Sequence, residues 1–106
     1  MAETKLSSLV DVDRLIHEPS RSAILAVLAA VKEADFLYLQ RETGLTRGNL
    51  TVHLSKLEEA GYITIEKTYR GKIPRTVCRI TPQGKEAFEG YCRQLRQFVE
   101  GVEPSK

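Results

Sequence analysis

The residues from Thr46 to Lys56 hold the densest set of side chains able to act on a partner. Asn49 carries an amide that donates and accepts side by side, Thr51 and Ser55 carry hydroxyls, Val52 offers methyl groups and Gly48 offers no side chain. Groups of this kind recognise rather than react: they form directional hydrogen bonds and close apolar contacts. Asn suits the paired donor and acceptor of adenine, Ser and Thr serve either kind of base edge, and Val can meet a thymine methyl. Arg47 and Lys56 flank the set with cations that hold phosphate, and Arg47 can also reach guanine. Thr46 and the free N–H groups of the turn after it favour a phosphate at a helix N-terminus. Glu59 is the dissenting anion on this face, three turns in and past the reach of a groove contact.

Catalysis lacks its parts. There is no paired-carboxylate site with apolar surroundings, no Gly-rich phosphate loop and no metalloprotease pattern. The two histidines and two cysteines, His17, His53, Cys78 and Cys92, have no ligand spacing, so no metal, no cofactor and no enzyme activity are expected. His53 adjoins an apolar stripe and reads as a packing or wing-contacting residue rather than a sensor. Cys92 reads as a reduced, partly buried thiol, with a redox switch as the rarer alternative.

The elements that must position these residues follow from periodicity and punctuation. Leu50, Leu54 and Leu57 form an i, i+4, i+7 stripe, which predicts a helix over 47–60 capped by Thr46 and closed by Gly61. Opposite that stripe lie Gly48, Val52, Ser55 and Glu59, flanked by Asn49, Thr51 and Lys56. Asp35 caps a shorter predicted helix over 36–43 with Phe36 and Leu39 inward, and Gly44 turns the chain between the two. Ile24, Val27, Leu28 and Val31 predict an earlier helix over 19–32, opened by Pro19. Residues 1–17, with Leu6, Leu9, Val10, Val12, Leu15 and Ile16, read as a short helix or a docked arm.

After Gly61 the period becomes two. Ile63 and Ile65 face Cys78 and Ile80 across a hairpin whose tip, Tyr69 to Arg75, takes Gly71 and Pro74 as turn residues. Thr81-Pro82 opens a last predicted helix over 82–100. Its apolar positions Phe88, Tyr91, Leu95, Phe98 and Val102 are spaced 3, 4, 3, 4, a seam suited to packing against another long helix. The fold class expected is mostly α with a β-hairpin wing (α+β), a winged helix-turn-helix with a long C-terminal dimerisation helix. Its parts are an arm at 1–17, a core at 18–81 and the last helix at 82–106.

Charge points to the same centre. From Gly44 to Ile80 seven basic residues oppose three acidic ones, whereas the chain of 106 residues carries only +2 in all. Lys67, Arg70, Lys72 and Arg75 cluster on the hairpin, a possible footprint for a polyanion. The longest apolar run, Ala23–Val31, is far short of the roughly 20 residues that span a bilayer. Met1-Ala-Glu-Thr-Lys5 has no signal-peptide pattern, and two cysteines make no disulfide framework. A cytoplasmic protein without membrane partners is expected.

The stretch Leu45 to Ile63 resembles the recognition-helix region of bacterial and archaeal winged-helix transcriptional regulators of the MarR and ArsR type. Glu18 to Leu25 looks like their first core helix, and Arg79 to Ala87 is similar to the junction after their wing. The resemblance covers about residues 18–90. It implies a homodimer placing two recognition helices in successive major grooves of double-stranded DNA. By it, Arg47, Gly48, Asn49, Thr51, Val52, Ser55 and Lys56 approach bases and backbone, and Lys67, Arg70, Lys72 and Arg75 belong to the wing. The cysteine pair of metal-sensing ArsR relatives has no match, and nothing in the sequence marks a small-molecule effector site. The expected function is sequence-specific regulation of transcription, with repression as the expected sign. The alternative is a winged-helix module that binds proteins, against which the four clustered cations argue.

Overall fold

The computed structural model describes residues 5–103; the remaining ends of the expected arm and last helix, 1–4 and 104–106, lie outside the described residues. A short 3₁₀ turn, Lys5–Leu9, is followed by α1 (Pro19–Val31), β1 (Glu33–Asp35), α2 (Phe36–Thr43), α3 (Arg47–Glu59), β2 (Ile63–Arg70), β3 (Ile73–Ile80) and α4 (Pro82–Val102). The chain is a winged helix: three helices carry an antiparallel sheet ordered β1-β3-β2, and a long fourth helix follows.

Local chemistry starts each helix. Side chains of Asp35, Thr46 and Thr81 accept from the backbone N–H groups of Tyr38 (2.8 Å), Asn49 (3.2 Å) and Gly84 (2.9 Å). Glu18 caps α1 in the same way, accepting from Arg21 N–H at 2.8 Å, with Pro19 at the first helical position. Each such cap contributes roughly 0.5–2 kcal/mol. Helix α1 stops at Val31 because Lys32 turns to a positive φ of 72°. Gly44, at φ 71°, makes the turn between α2 and α3.

The core lies where α1, α2 and α3 meet the sheet. Ile16, Ile24, Leu25, Leu28, Leu39, Leu50, Leu57 and Cys78 are fully buried, joined by Leu54 and Ile63. The three leucines of α3 are therefore all inward, which turns its other side to solvent. Gly84 sets how closely α4 approaches: a Cβ there would stand 2.1 Å from the Tyr62 carbonyl oxygen. The same carbonyl accepts from Thr81 N–H at 3.0 Å, so the junction after the wing is locked backbone to backbone.

Three expectations change. Strand β1 was not expected; its three residues pair with β3 at Glu33↔Arg79, Ala34↔Cys78 and Asp35↔Val77, a partnership that local sequence does not encode. Pro74 is not a turn residue but a strand residue paired with Tyr69. The turn is Gly71-Lys72 alone, and its closing pair Arg70↔Ile73 exchanges the hydrogen bonds, so the missing N–H of Pro74 falls on the edge of β3 away from β2, at a point short of the Val77–Arg79 stretch that β1 covers. The expected seam on α4 is divided. Tyr91 belongs to the chain's own core at 6% exposure, its hydroxyl 2.9 Å from His17 Nδ1, and Phe88 and Leu95 pack partly against the same cluster. A 3-4 spacing says which residues share a face, not which neighbour covers it.

Of the two readings given for the first residues, a short helix or a docked arm, the described part follows the second: a 3₁₀ turn, Lys5–Leu9, docks on α4 of the same chain. The Ser8 hydroxyl reaches the Gln94 carbonyl at 2.9 Å, and Lys5 pairs with Glu100 at 2.9 Å. Gly101 receives this turn closely, since a Cβ there would meet Lys5 Cβ at 2.9 Å. Tyr62 donates from its hydroxyl to Asp13, which pushes the tyrosine up to about 12 and ties the segment before α1 to the start of β2.

Candidate nucleic-acid interface

Helix α3 presents its first two turns to solvent. Arg47, Gly48, Asn49, Thr51, Val52, Ser55 and Lys56 are all exposed, as is Thr46 just before them. No atom lies within 4 Å of where a Cβ on Gly48 would stand, so packing within the chain does not explain the glycine. Its helical position costs roughly 0.5–1 kcal/mol relative to alanine.

Hydrogen-bond geometry refines what each side chain offers. Thr46 Oγ1 is engaged as the cap of Asn49 N–H, while Leu50 N–H takes the Thr46 carbonyl. The N–H groups of Arg47 and Gly48 are left pointing outward without a partner among the described residues, as the start of a helix dictates. Thr51 Oγ1 donates to the Arg47 carbonyl at 2.9 Å. Its proton is thereby taken, and it meets a partner as an acceptor rather than as either kind. The Arg47 guanidinium lies over the Phe36 ring at 5.2 Å, so α2 steadies its position.

The wing borders this surface. A groove of about 670 Å³ runs between the start of α2, α3 and the sheet, with Arg47, Thr51 and Ser55 on one side and Lys67, Pro74 and Arg75 on the other. Asp35 and Glu58 also line it, and Asp35 is a carboxylate that the charge count over Gly44 to Ile80 leaves out. Beyond Lys67 the hairpin runs on to Gly71, roughly 13 Å of strand. The helix face and the wing thus make one continuous surface.

The four wing cations are not equivalent. Lys67, Arg70 and Lys72 have no carboxylate within 4 Å among the described residues, whereas Arg75 Nε lies 3.4 Å from Asp35 Oδ2. The Tyr38 N–H and then Arg75 hold the Asp35 carboxyl below its usual value, against the opposing effect of partial burial. Arg75 therefore steadies the base of the wing as well as lending it charge. Arg79, further down β3, bridges Glu33 at 3.2 Å and Glu66 at 2.9 Å and is committed to the sheet.

The polar contacts of His53 run to the start of α1 rather than to the wing. Its Nδ1 stands 3.0 Å from the Arg21 guanidinium and 3.8 Å from Glu18, so it fastens α3 to α1. Cys78 is buried, and that burial pushes its thiol up to about 11; Cys92 is half-buried on α4. Among the described residues no group of three or more His, Cys, Asp or Glu is placed to hold a metal ion, and no helix is long and apolar enough to cross a membrane. Sequence reasoning passed over Leu37, Tyr69 and Ile73, which stand 67%, 70% and 68% exposed around the same surface. The available signal was that the hairpin's period of two continues to its tip, beyond any core that could cover it.

Comparisons with known proteins bear on the family and the fold. The family profile described as the winged helix DNA-binding domain matches residues 20–99. A protein of Methanocaldococcus jannaschii is 34% identical over 91 residues, 85% of this chain and 98% of its own length. The structure of a transcriptional regulator homologue from Pyrococcus horikoshii OT3 superposes with a TM-score of 0.85 at 28% identity, covering 94% of this chain and 98% of that one. A MarR-family transcriptional regulator from Silicibacter pomeroyi shares the fold at a TM-score of 0.63 and 18% identity, over 92% of this chain and 61% of that chain.

Proposed function

Because this chain belongs to the winged helix DNA-binding domain family, we propose that it is a sequence-specific regulator of transcription that binds double-stranded DNA as a homodimer in the cytoplasm. The observation that carries the reading is the exposed, bulk-free face of α3, with nothing within 4 Å of the Gly48 Cβ position. A helix about 10–12 Å across suits the roughly 12 Å major groove. Asn49, Thr51, Val52 and Ser55 discriminate bases there, while Thr46, Arg47 and Lys56 hold the backbone. Lys67, Arg70, Lys72 and, more weakly, Arg75 supply salt-dependent affinity on the backbone and the neighbouring minor groove.

The far half of α4 is the dimer seam of this reading. Phe98 and Val102, with Val99 beside them and Leu6 and Val10 from the docked turn, form an apolar end; Val99 and Val102 are 54% and 61% exposed. Phe88 and Leu95 contribute what their own core leaves uncovered. The chain measures 60 × 24 × 21 Å with a radius of gyration of 16.1 Å, against about 13 Å for a compact domain of this length. A helix that juts out in this way gains by covering itself with a second copy. Two copies then set half-sites about 34–36 Å apart, and occupancy of a promoter excludes polymerase, which makes repression the expected sign.

Fluorescence anisotropy against a labelled random-sequence duplex across a salt series tests the reading, with sedimentation equilibrium for the dimer. Binding that weakens steeply with salt is expected. An absence of binding at about 50 mM salt would redirect the basic wing to a protein partner.

A further inference from the structure

The wing ends in two large apolar side chains that nothing in the chain covers. Tyr69 is 70% exposed and Ile73 68%. They stand on opposite faces of the ribbon, since Tyr69 pairs across with Pro74 while Ile73 pairs with Arg70 one step nearer the turn. The turn itself is tight: Gly71 has a φ of 64° and Lys72 does not have a positive φ, the pattern of a two-residue type II′ turn. Arg70 and Lys72 have no carboxylate within 4 Å among the described residues. A tight tip with an apolar group on each face and cations at its edge suits a partner that is anionic at its rims and less polar within. The minor groove of duplex DNA, with phosphates along both edges and sugars for walls, has that character.

Width decides how the tip would sit. The minor groove is about 6 Å wide, whereas a β-ribbon with side chains on both faces is about 10 Å thick. The tip enters only where the groove opens, and apolar side chains pressed against base steps open it. The cost of opening depends on sequence and is least at pyrimidine–purine steps, which unstack readily.

We propose that Tyr69 and Ile73 make the wing tip a wedge that opens the minor groove, so that the protein selects a deformable pyrimidine–purine step there without reading its base edges. The inference rests on the DNA-binding reading above and adds to it a source of specificity separate from α3. Selection from a randomised duplex pool tests it, run with the full chain and with Tyr69→Ser, Ile73→Ser and the double variant. Both side chains are exposed, so folding is retained, and circular dichroism verifies this. Wild type and variants should enrich the same half-sites. Wild type should also enrich TA or CA/TG steps at a fixed distance outside each half-site, by at least about fivefold over other steps. In the double variant that preference should fall below about twofold. Half-sites with the same flanking preference in both proteins, or with none in either, would overturn the wedge and leave the DNA-binding reading standing. Loss of the half-sites themselves in a folded variant would overturn the separation from α3. A wild type that enriches no sequence would overturn the DNA-binding reading, and the wedge with it.

Discussion

Replacing Gly48 by alanine sets stability against function at a single methyl group. The added Cβ meets no atom within 4 Å and the backbone is helical rather than left-handed. Alanine therefore recovers the helical deficit of glycine, roughly 0.5–1 kcal/mol, which for a domain this size raises Tm by about 2–8 °C. In the proposed complex with DNA the same methyl would occupy the closest-approach point of the α3 face. The expected loss is about 1–3 kcal/mol on a selected site, the worth of one base pair's contacts and about 5- to 150-fold in Kd. Thermal melts by circular dichroism and anisotropy titrations at one salt concentration measure the two effects on the same preparation. A variant that is more stable and binds as tightly as wild type would refute the reasoning, because the glycine would then serve no approach. A variant that is less stable would refute the local structure at the start of α3.

Further outcomes follow from other contacts. Asn49→Ala should relax sequence preference by about 1–3 kcal/mol at one base pair while leaving random-duplex binding nearly intact; equal loss on all duplexes would remove it from base readout. Arg70→Ala should weaken binding on every duplex and flatten the plot of log K against log salt by about one, whereas Arg75→Ala should flatten it less and also lower Tm, since Arg75 pairs with Asp35. Gly84→Ala forces a Cβ to within 2.1 Å of the Tyr62 carbonyl oxygen, so urea unfolding should show a loss of about 1–3 kcal/mol or more. The Asp35 carboxyl is held below its ordinary value of 3.8, so its contribution is complete above that pH and is lost as pH falls through the lowered value. Asp35→Asn should therefore have a Tm deficit at neutral pH that closes below pH 3.8; a deficit independent of pH would assign the effect to packing instead.

How far the residues alone disclose this protein depends on the range of the interaction concerned. Caps and stops act within four residues, and so Asp35, Thr46, Thr81, Pro19 and Gly44 could be placed from sequence. The stripe Leu50, Leu54 and Leu57 orients α3 by its own period, and that one orientation puts Gly48, Asn49, Thr51, Val52 and Ser55 on the open side. What packing between distant segments decides was not legible. Strand β1 exists because β3 lies beside it. Arg75 is partly neutralised because that pairing brings Asp35 within reach. Tyr91 turns into its own chain because the core cluster packs around it, with His17 beside its hydroxyl and the Ser22 hydroxyl donating to it. Tyr69 and Ile73 stay uncovered because the hairpin outruns the helices. Local chemistry determined the helices and the face of α3 that lies open to solvent; tertiary contacts alone decided which cations have no carboxylate beside them, which apolar groups remain bare and which half of α4 stays exposed.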